Sequence, residues 1–255
     1  MPELSILLPS LRPDELNKRI AEFAATHSKM DYELVVVSPF LVSGEKIVHI
    51  LETKPRGVLY AMNEAYKKAS GDYIVLWSDD ASPCEGCLQN ILDFVKQHDQ
   101  PLPFAAGFAK VDPRGEGFGQ WSVYGKLYVG WACASKKTIE AVGGLFDPHY
   151  KNYWGDPDFS LRVWEKGGTV MVCKTSYIEI TQINDEVKAR NLSTSFEEDT
   201  QTFFNKWHDK LGQGKKKVWR KINCEIPNSF SGHVRGFLRN IPYLKEIKEW
   251  VIPSH

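Results

Sequence analysis

Apolar and polar positions fall into two alternating kinds of run over the first hundred residues. LSILLP (4–9) is short, apolar and closed by proline, and PDELNKRIAEFAATH (13–27) follows with Leu16, Ile20 and Phe23 at helical spacing. A strand and then a helix are expected. ELVVVS (33–38) and KIVHILE (46–52) are β-branched runs of the kind buried on both faces of a parallel sheet. VLYAMNEAYKKAS (58–70) returns to helical periodicity, and Gly71 should stop that helix through its tolerance of positive φ. YIVLW (73–77) reads as a fourth strand, followed by a helix over 86–98. The order βαβ-βαβ with short connections predicts an α/β fold, a Rossmann-like, mostly parallel sheet flanked by helices.

In such open sheets ligands bind beyond the carboxyl ends of the strands. GDYIVLWSDDASP (71–83) places two adjacent carboxylates, Asp79 and Asp80, at that end of a central strand. Ionised carboxylates are costly to desolvate there unless they hold a cation or a hydrogen-bonded ligand. Capping of the following helix explains the pair equally well. The second half is less regular and carries Phe118, Trp121, Tyr124, Tyr128, Trp131 and Trp154. Aromatics beside a polar crevice can stack on sugar rings, although core packing is their commoner use.

Composition narrows the partners. The 255 residues are 42% hydrophobic, enough to bury a sizeable core, and Lys plus Arg and Asp plus Glu are both 32. A net charge of zero argues against nucleic acid as a partner. The charge is unevenly spread, because Lys206 to His255 hold 11 Lys/Arg against 4 Asp/Glu. No basic leader precedes the first apolar run, and no run reaches the roughly 18 apolar residues of a spanning helix, so a soluble, cytoplasmic chain is expected. Five scattered cysteines fit reduced thiols. Cys84-Glu-Gly-Cys87 has the spacing of half a zinc site, but without a second pair it reads as structural.

Four segments, SILLPSLRPDEL (5–16), RGVLYAMNEAYKKASGDYIVLWSDDASP (56–83), KTIEAVGGLFDPHY (137–150) and YWGDPDFSLRVWEKGG (153–168), resemble in order the family 2 inverting glycosyltransferases of the GT-A fold. The resemblance implies transfer of a sugar from a nucleotide-sugar donor to a glycan or lipid-linked acceptor. Where the family has a DxD motif this chain has Ser78-Asp79-Asp80, so Asp80 inherits the divalent cation, Mn²⁺ or Mg²⁺, and Asp79 the ribose or sugar hydroxyls. The later stretch that usually reads Glu-Asp-x-Asp-Leu-x-x-Arg makes Asp156 the general base, with Gly155 in place of the usual Glu. On residues alone, that stretch reads as a turn and a helix capped by Asp156 or Asp158. Asp158, Arg162 and Trp154 are acceptor or supporting residues; Arg162 can orient Asp158 or neutralise phosphate, or form only an i,i+4 pair. The resemblance also puts Pro9, Ser10 and Arg12 beside the nucleotide base, and Arg56, Gly57 and Asn63 along the nucleotide. Ser38 stands where the family often has a uracil-binding Asp, which leaves guanosine and thymidine donors open. The family's further His is missing from 175–185, and Glu179, Asp185 and His208 are the nearest candidates.

The expected organisation is a catalytic domain over 1–212, with a nucleotide-binding half (1–100) and an acceptor-binding half (101–212), and a basic helical C-terminal extension over 213–255. Basic residues interleaved with Trp219, Phe230, Phe237 and Trp250 can lie on an anionic membrane, pack on the catalytic domain or mediate a homodimer. Two rivals remain: a sugar-1-phosphate nucleotidylyltransferase, disfavoured because SLRPDEL lacks a glycine-rich loop, and a non-catalytic nucleotide- or carbohydrate-binding relative.

Overall fold

The computed structural model describes residues 2–99, 101–113, 117–118, 120–181, 183–211 and 219–222. The first half follows the expected order: β1 (Leu4–Pro9), α1 (Pro13–Thr26), β2 (Tyr32–Ser38), β3 (Ile47–Leu51), α2 (Val58–Lys68), β4 (Tyr73–Leu76), β5 (Ala81–Pro83) and α3 (Cys87–His98). After it come β6 (Phe104–Val111), β7 (Gly117–Phe118), β8 (Gln120–Val123), β9 (Lys126–Tyr128), β10 (Ala132–Ser135), α4 (Lys136–Ala141), α5 (Gly155–Glu165), β11 (Thr169–Ile180), α6 (Glu186–Leu211) and β12 (Trp219–Ile222).

The main sheet runs β3-β2-β1-β4-β10-β6-β11-β5, with β7 on β6. Its first four strands are parallel, β10 is antiparallel to both neighbours, and β6 and β11 are parallel again. The continuous apolar runs arise because the sheet is covered on both faces. Leu4, Ile6 and Leu8 of β1 enter one core with Phe23 of α1 and Ile91 of α3, while Leu7 enters the other with Leu59 and Met62 of α2 and Phe159 of α5. Each fully buried aliphatic of this kind contributes about 1.5–3 kcal/mol.

Two local expectations change. The β3 run is an edge strand, only partly buried, with Leu51 half exposed. Gly71 does not end α2 by positive φ: the helix stops at Lys68, and Gly71 is absent from the positive-φ residues. Its role is a close approach, since a Cβ there would meet the Leu4 carbonyl carbon and the Ser5 nitrogen and Oγ at 2.9 Å. The Gly71 N–H donates to Ser5 Oγ, which in turn donates to the buried Glu33 carboxylate. No helix among the described residues is long and apolar enough to cross a membrane. The expected membrane-facing or dimer-forming tail lies outside the described residues, apart from the β12 backbone, which pairs with β8.

Candidate active site

Because β3, β2, β1 and β4 are parallel, their carboxyl ends share one edge, and a cleft of about 530 Å³ lies along it. The sheet supplies its floor through Pro9, Ser10 and Arg12 after β1, Val37 of β2, Glu52 after β3, and Ser78, Asp79 and Asp80 after β4. One wall comes from Arg56 and Gly57 at the start of α2 with Lys151 and Asn152, and the opposite wall from Val187, Arg190, Asn191, Thr194 and Ser195 of α6.

The two adjacent aspartates have different surroundings. Asp79 is buried and accepts from Ser10 Oγ at 2.5 Å and Arg12 Nη1 at 2.9 Å. Arg12 continues to Asp185 at the start of α6, with Nε at 2.6 Å and Nη2 at 2.9 Å. This bidentate bond is the main reason the Asp185 carboxyl lies well below the usual range. The Arg12 guanidinium is held more firmly protonated than usual, first by the bond to Asp185, then, against burial, by Asp79. Asp80 is half-buried and accepts only a short hydrogen bond from Ser78 Oγ among the described residues. Burial, then the neighbouring Asp79, push its carboxyl above the usual range despite that hydroxyl. The serine that replaces the family's first aspartate therefore serves Asp80 as a donor, and Trp131 Nε1 donates to the same hydroxyl at 2.8 Å.

Trp131 also leads towards Asp156. Its neighbour Gly130 faces that side chain so closely that a Cβ there would come within 3.2 Å of Asp156 Oδ2. Lys110 Nζ lies 5.6 Å from the Trp131 ring centre. Burial pushes the Asp156 carboxyl up to about 6, with backbone hydrogen bonding and the Lys110 charge opposing. Asp156 does not line the cleft, and its link to Asp80 runs through Gly130, Trp131 and Ser78.

The loop before Asp156 is fixed from both sides. Asp199 of α6 is buried and accepts the N–H groups of Lys151, Asn152 and Tyr153, each at 2.9 Å. The loop in turn caps α2 across 90 residues of sequence: Asn152 Oδ1 accepts from the Val58 N–H and the Lys151 carbonyl from that of Leu59, each at 3.0 Å. Gly57 is required there, with φ 117° and a hypothetical Cβ 2.4 Å from the Lys151 oxygen. Trp154 ends the loop at φ 69°, its indole stacked on Phe203 at 4.4 Å and donating to Thr200 Oγ1 at 2.8 Å.

Several residues expected at the site stand away from it. Ser38 is buried and does not line the cleft; it donates to the Phe40 carbonyl and lies 3.0 Å from His49 Nε2. Asn63 exchanges two hydrogen bonds with the Phe146 backbone. Arg162 binds Asp158 at 2.9 Å and the carbonyls of Val142, Gly144 and Leu145. Asp158, fully buried, also receives Lys206 Nζ at 2.8 Å and Trp207 Nε1 at 2.9 Å. Of the alternatives for Arg162, the observed contacts are those of an orienting ion pair. Trp154 has the surroundings of a core aromatic. Arg56, largely exposed over the Tyr60 ring, does stay on the cleft wall, whereas His208 is exposed and does not line the cleft. Among the described residues no three His, Cys, Asp or Glu side chains cluster as a metal site, and Cys84, Cys87, Cys133 and Cys173 are free thiols.

Residues 23–122 match the family model described as glycosyl transferase family 2. Over these residues the chain resembles the family 2 glycosyltransferases. No curated protein sequence matches it. Among solved structures, the fold resembles GalNAc-T7 with UDP, GalNAc and Mn²⁺, at 10% identity and a TM-score of 0.59 over all of this chain and 59% of that one. It also resembles the mannosyltransferase PcManGT from Pyrobaculum calidifontis in complex with GDP-Man and Mn²⁺, at 15% identity and 0.60 over all of this chain and 76% of that one. A third is S. aureus TarS 1-349 in complex with UDP-GlcNAc, at 15% identity and 0.54 over 81% of this chain and 73% of that one. The chain thus spans little more than half of the first of these, and the shared feature is the GT-A fold. The sequence pattern missed Glu52, Asp199 and the cleft-facing turns of α6, while Asp185, a candidate in place of the family's further His, is held by Arg12.

Proposed function

We propose that this chain transfers a sugar from a nucleoside diphosphate donor to an acceptor hydroxyl, with inversion at the anomeric carbon. Residues 1–212 act as the catalytic unit. The observation that carries the reading is Asp80: a half-buried carboxylate, supported by one hydroxyl, in a cleft at the carboxyl ends of four parallel strands. A hard divalent cation fits it, because such ions take one or two carboxylates and complete their shell with phosphate and water oxygens. The Mn²⁺ complexes of GalNAc-T7 and PcManGT support this assignment. When bound, the cation would neutralise the charge that develops on the leaving diphosphate.

The chain's own residues divide the remaining work. Asp79, held by Ser10 and Arg12, faces the cleft at the fold's nucleotide edge. Arg56, Lys151 and Arg190, with Arg12 already paired to Asp79 and Asp185, are the positive side chains that line the cleft beside the phosphate position. Asp156 takes the proton of the acceptor hydroxyl as its oxygen bonds to the anomeric carbon and the bond from that carbon to the diphosphate oxygen breaks. A carboxyl raised to about 6 is a stronger base than an ordinary aspartate and is still ionised at neutral pH. The acceptor is a glycan or a lipid-linked sugar, the latter favoured by the basic and aromatic composition of residues 213–255. Incubation with nucleotide sugars and Mn²⁺, followed by NMR of the product's anomeric proton, tests the reading. Inversion supports it; retention would remove Asp156 from the base role.

A further inference from the structure

Away from the donor site, we infer that β3 is the seat of a homodimer, in which the main sheet continues through an antiparallel pair of β3 strands into a second copy of the chain. The two ends of the sheet path are unlike. β5 is three residues long and closes with Pro83, two features that discourage further pairing. β3 reads IVHIL, with neither Lys nor Pro among its five residues, and no strand among the described residues covers its outer side. Its ends are tied to β2, since the Leu34 N–H donates to the Lys46 carbonyl and the Glu52 N–H to the Ser38 carbonyl. Peptide groups alternate in direction along a strand, so the even-numbered residues face β2, and Ile47, His49 and Leu51 turn theirs outward. The Ile47 N–H closes the preceding turn on the Gly44 carbonyl at 3.1 Å. The other outward groups are left for a partner strand.

A dimer closed by a two-fold axis pairs a strand with itself in the antiparallel sense. With the axis at His49, that residue opposes His49 of the second copy, Ile47 opposes Leu51, and Val48 opposes Ile50. The outward groups then fall into register: His49 exchanges its N–H and carbonyl with its counterpart, and each Leu51 N–H meets an Ile47 carbonyl. Apolar surface is available at the same edge. Leu51 is 50% exposed, and a groove of about 370 Å³ lined by Ile50, Leu51 and Tyr60 runs beside it, where the second copy's Val48 would lie. Charge selects the same arrangement. Exposed Glu45 precedes the strand and exposed Lys54 follows it, so antiparallel pairing sets each Glu45 beside the other copy's Lys54, whereas a parallel pair would set like beside like. The carboxyl ends of the two β3 strands point in opposite directions, so the two clefts open on opposite edges of the joined sheet and neither obstructs the other.

Sedimentation equilibrium of the whole chain at rising concentration is the test. The wild type should pass from monomer to dimer with a Kd of about 1–100 µM, the range of a small interface. Glu45→Lys turns both end contacts into like-charge pairs and should weaken the dimer about tenfold, and adding Lys54→Glu to it should restore the wild-type value. Leu51→Lys introduces the charge that natural edge strands use against pairing and should give a monomer with an unchanged circular dichroism spectrum. A wild type that stays monomeric throughout would overturn the inference. So would a dimer that survives Leu51→Lys, or one that Glu45→Lys does not weaken and Lys54→Glu does not then restore, since association would then be seated elsewhere on the chain.

Discussion

At the scale of single residues, the donor-side Asp79 and the candidate base Asp156 are set apart by their partners. Asp79 has a hydroxyl and a guanidinium, whereas Asp156 has burial and a distant lysine charge. A base with a carboxyl near 6 works only when ionised, so kcat/KM should rise with pH through about 6 and level off above it. Asp156→Asn should abolish that limb and lower turnover by about 10²–10⁴, with GDP or UDP affinity nearly intact. The same substitution has a stability consequence. With the folded carboxyl near 6 and the unfolded one near 3.9, the folded state binds more protons between those values, and stability falls as pH rises through them. Asp156→Asn should therefore be more stable than the wild type by about 1–2 kcal/mol at pH 8, with the gap closing by pH 4. Equal urea midpoints at pH 8 would contradict the buried, strained base. Of these residues, Asp79 and Asp80 stood out as carboxylates at a strand end, whereas Asp156 was singled out only through the resemblance, its stretch reading on residues alone as a capped helix start. Glu52 did not stand out, since a glutamate closing an edge strand looks like any solvated charge.

At the scale of elements, α6 holds the site together from outside the nucleotide half. Its N-terminal turns wall the cleft and supply Asp185 to Arg12, and its middle supplies Asp199 and Thr200 to the loop that leads into Asp156. The loop spans α2 and α6, so removing its anchor should loosen donor wall and base together. Asp199→Ala leaves three part-buried N–H groups without their acceptor and should lower stability by about 1–3 kcal/mol in urea denaturation, with weaker GDP or UDP binding. A variant as stable as the wild type would mean that the loop is held by packing alone. The elements themselves were largely readable: β1 to β4 and the first three helices follow from period-2 and period-3.6 runs within a residue or two. The antiparallel insertion of β10 between β4 and β6 and the docking of α6 were not, because both depend on pairings between residues far apart in the chain, such as Cys133 with Val75 and Lys151 with Asp199.

At the scale of the whole molecule, acid sensitivity should be set by a buried histidine remote from the cleft. His27 is 3% exposed between α1 and α3, accepts the Leu88 N–H on Nε2, and burial lowers its pKa to about 4. Unfolded, it titrates near 6.5, so the unfolded state binds more protons between 6.5 and 4. The His27 contribution is complete above 6.5 and declines by about 2–3 kcal/mol as pH falls towards 4, opposite in sign to that of Asp156. His27→Gln should flatten that decline, and an unchanged slope of melting midpoint against pH would assign it to other groups. The central claim concerns the cleft, where four parallel strand ends bring Asp80, Arg12 and Glu52 to one edge. Its most direct measurement is calorimetry of GDP and UDP with the wild type and Asp80→Ala, each with and without MnCl₂. Binding by the wild type that strengthens with Mn²⁺, and loses that dependence in Asp80→Ala, is the expected result. Binding indifferent to Mn²⁺, or a dependence that survives in Asp80→Ala, would contradict a metal-assisted donor site.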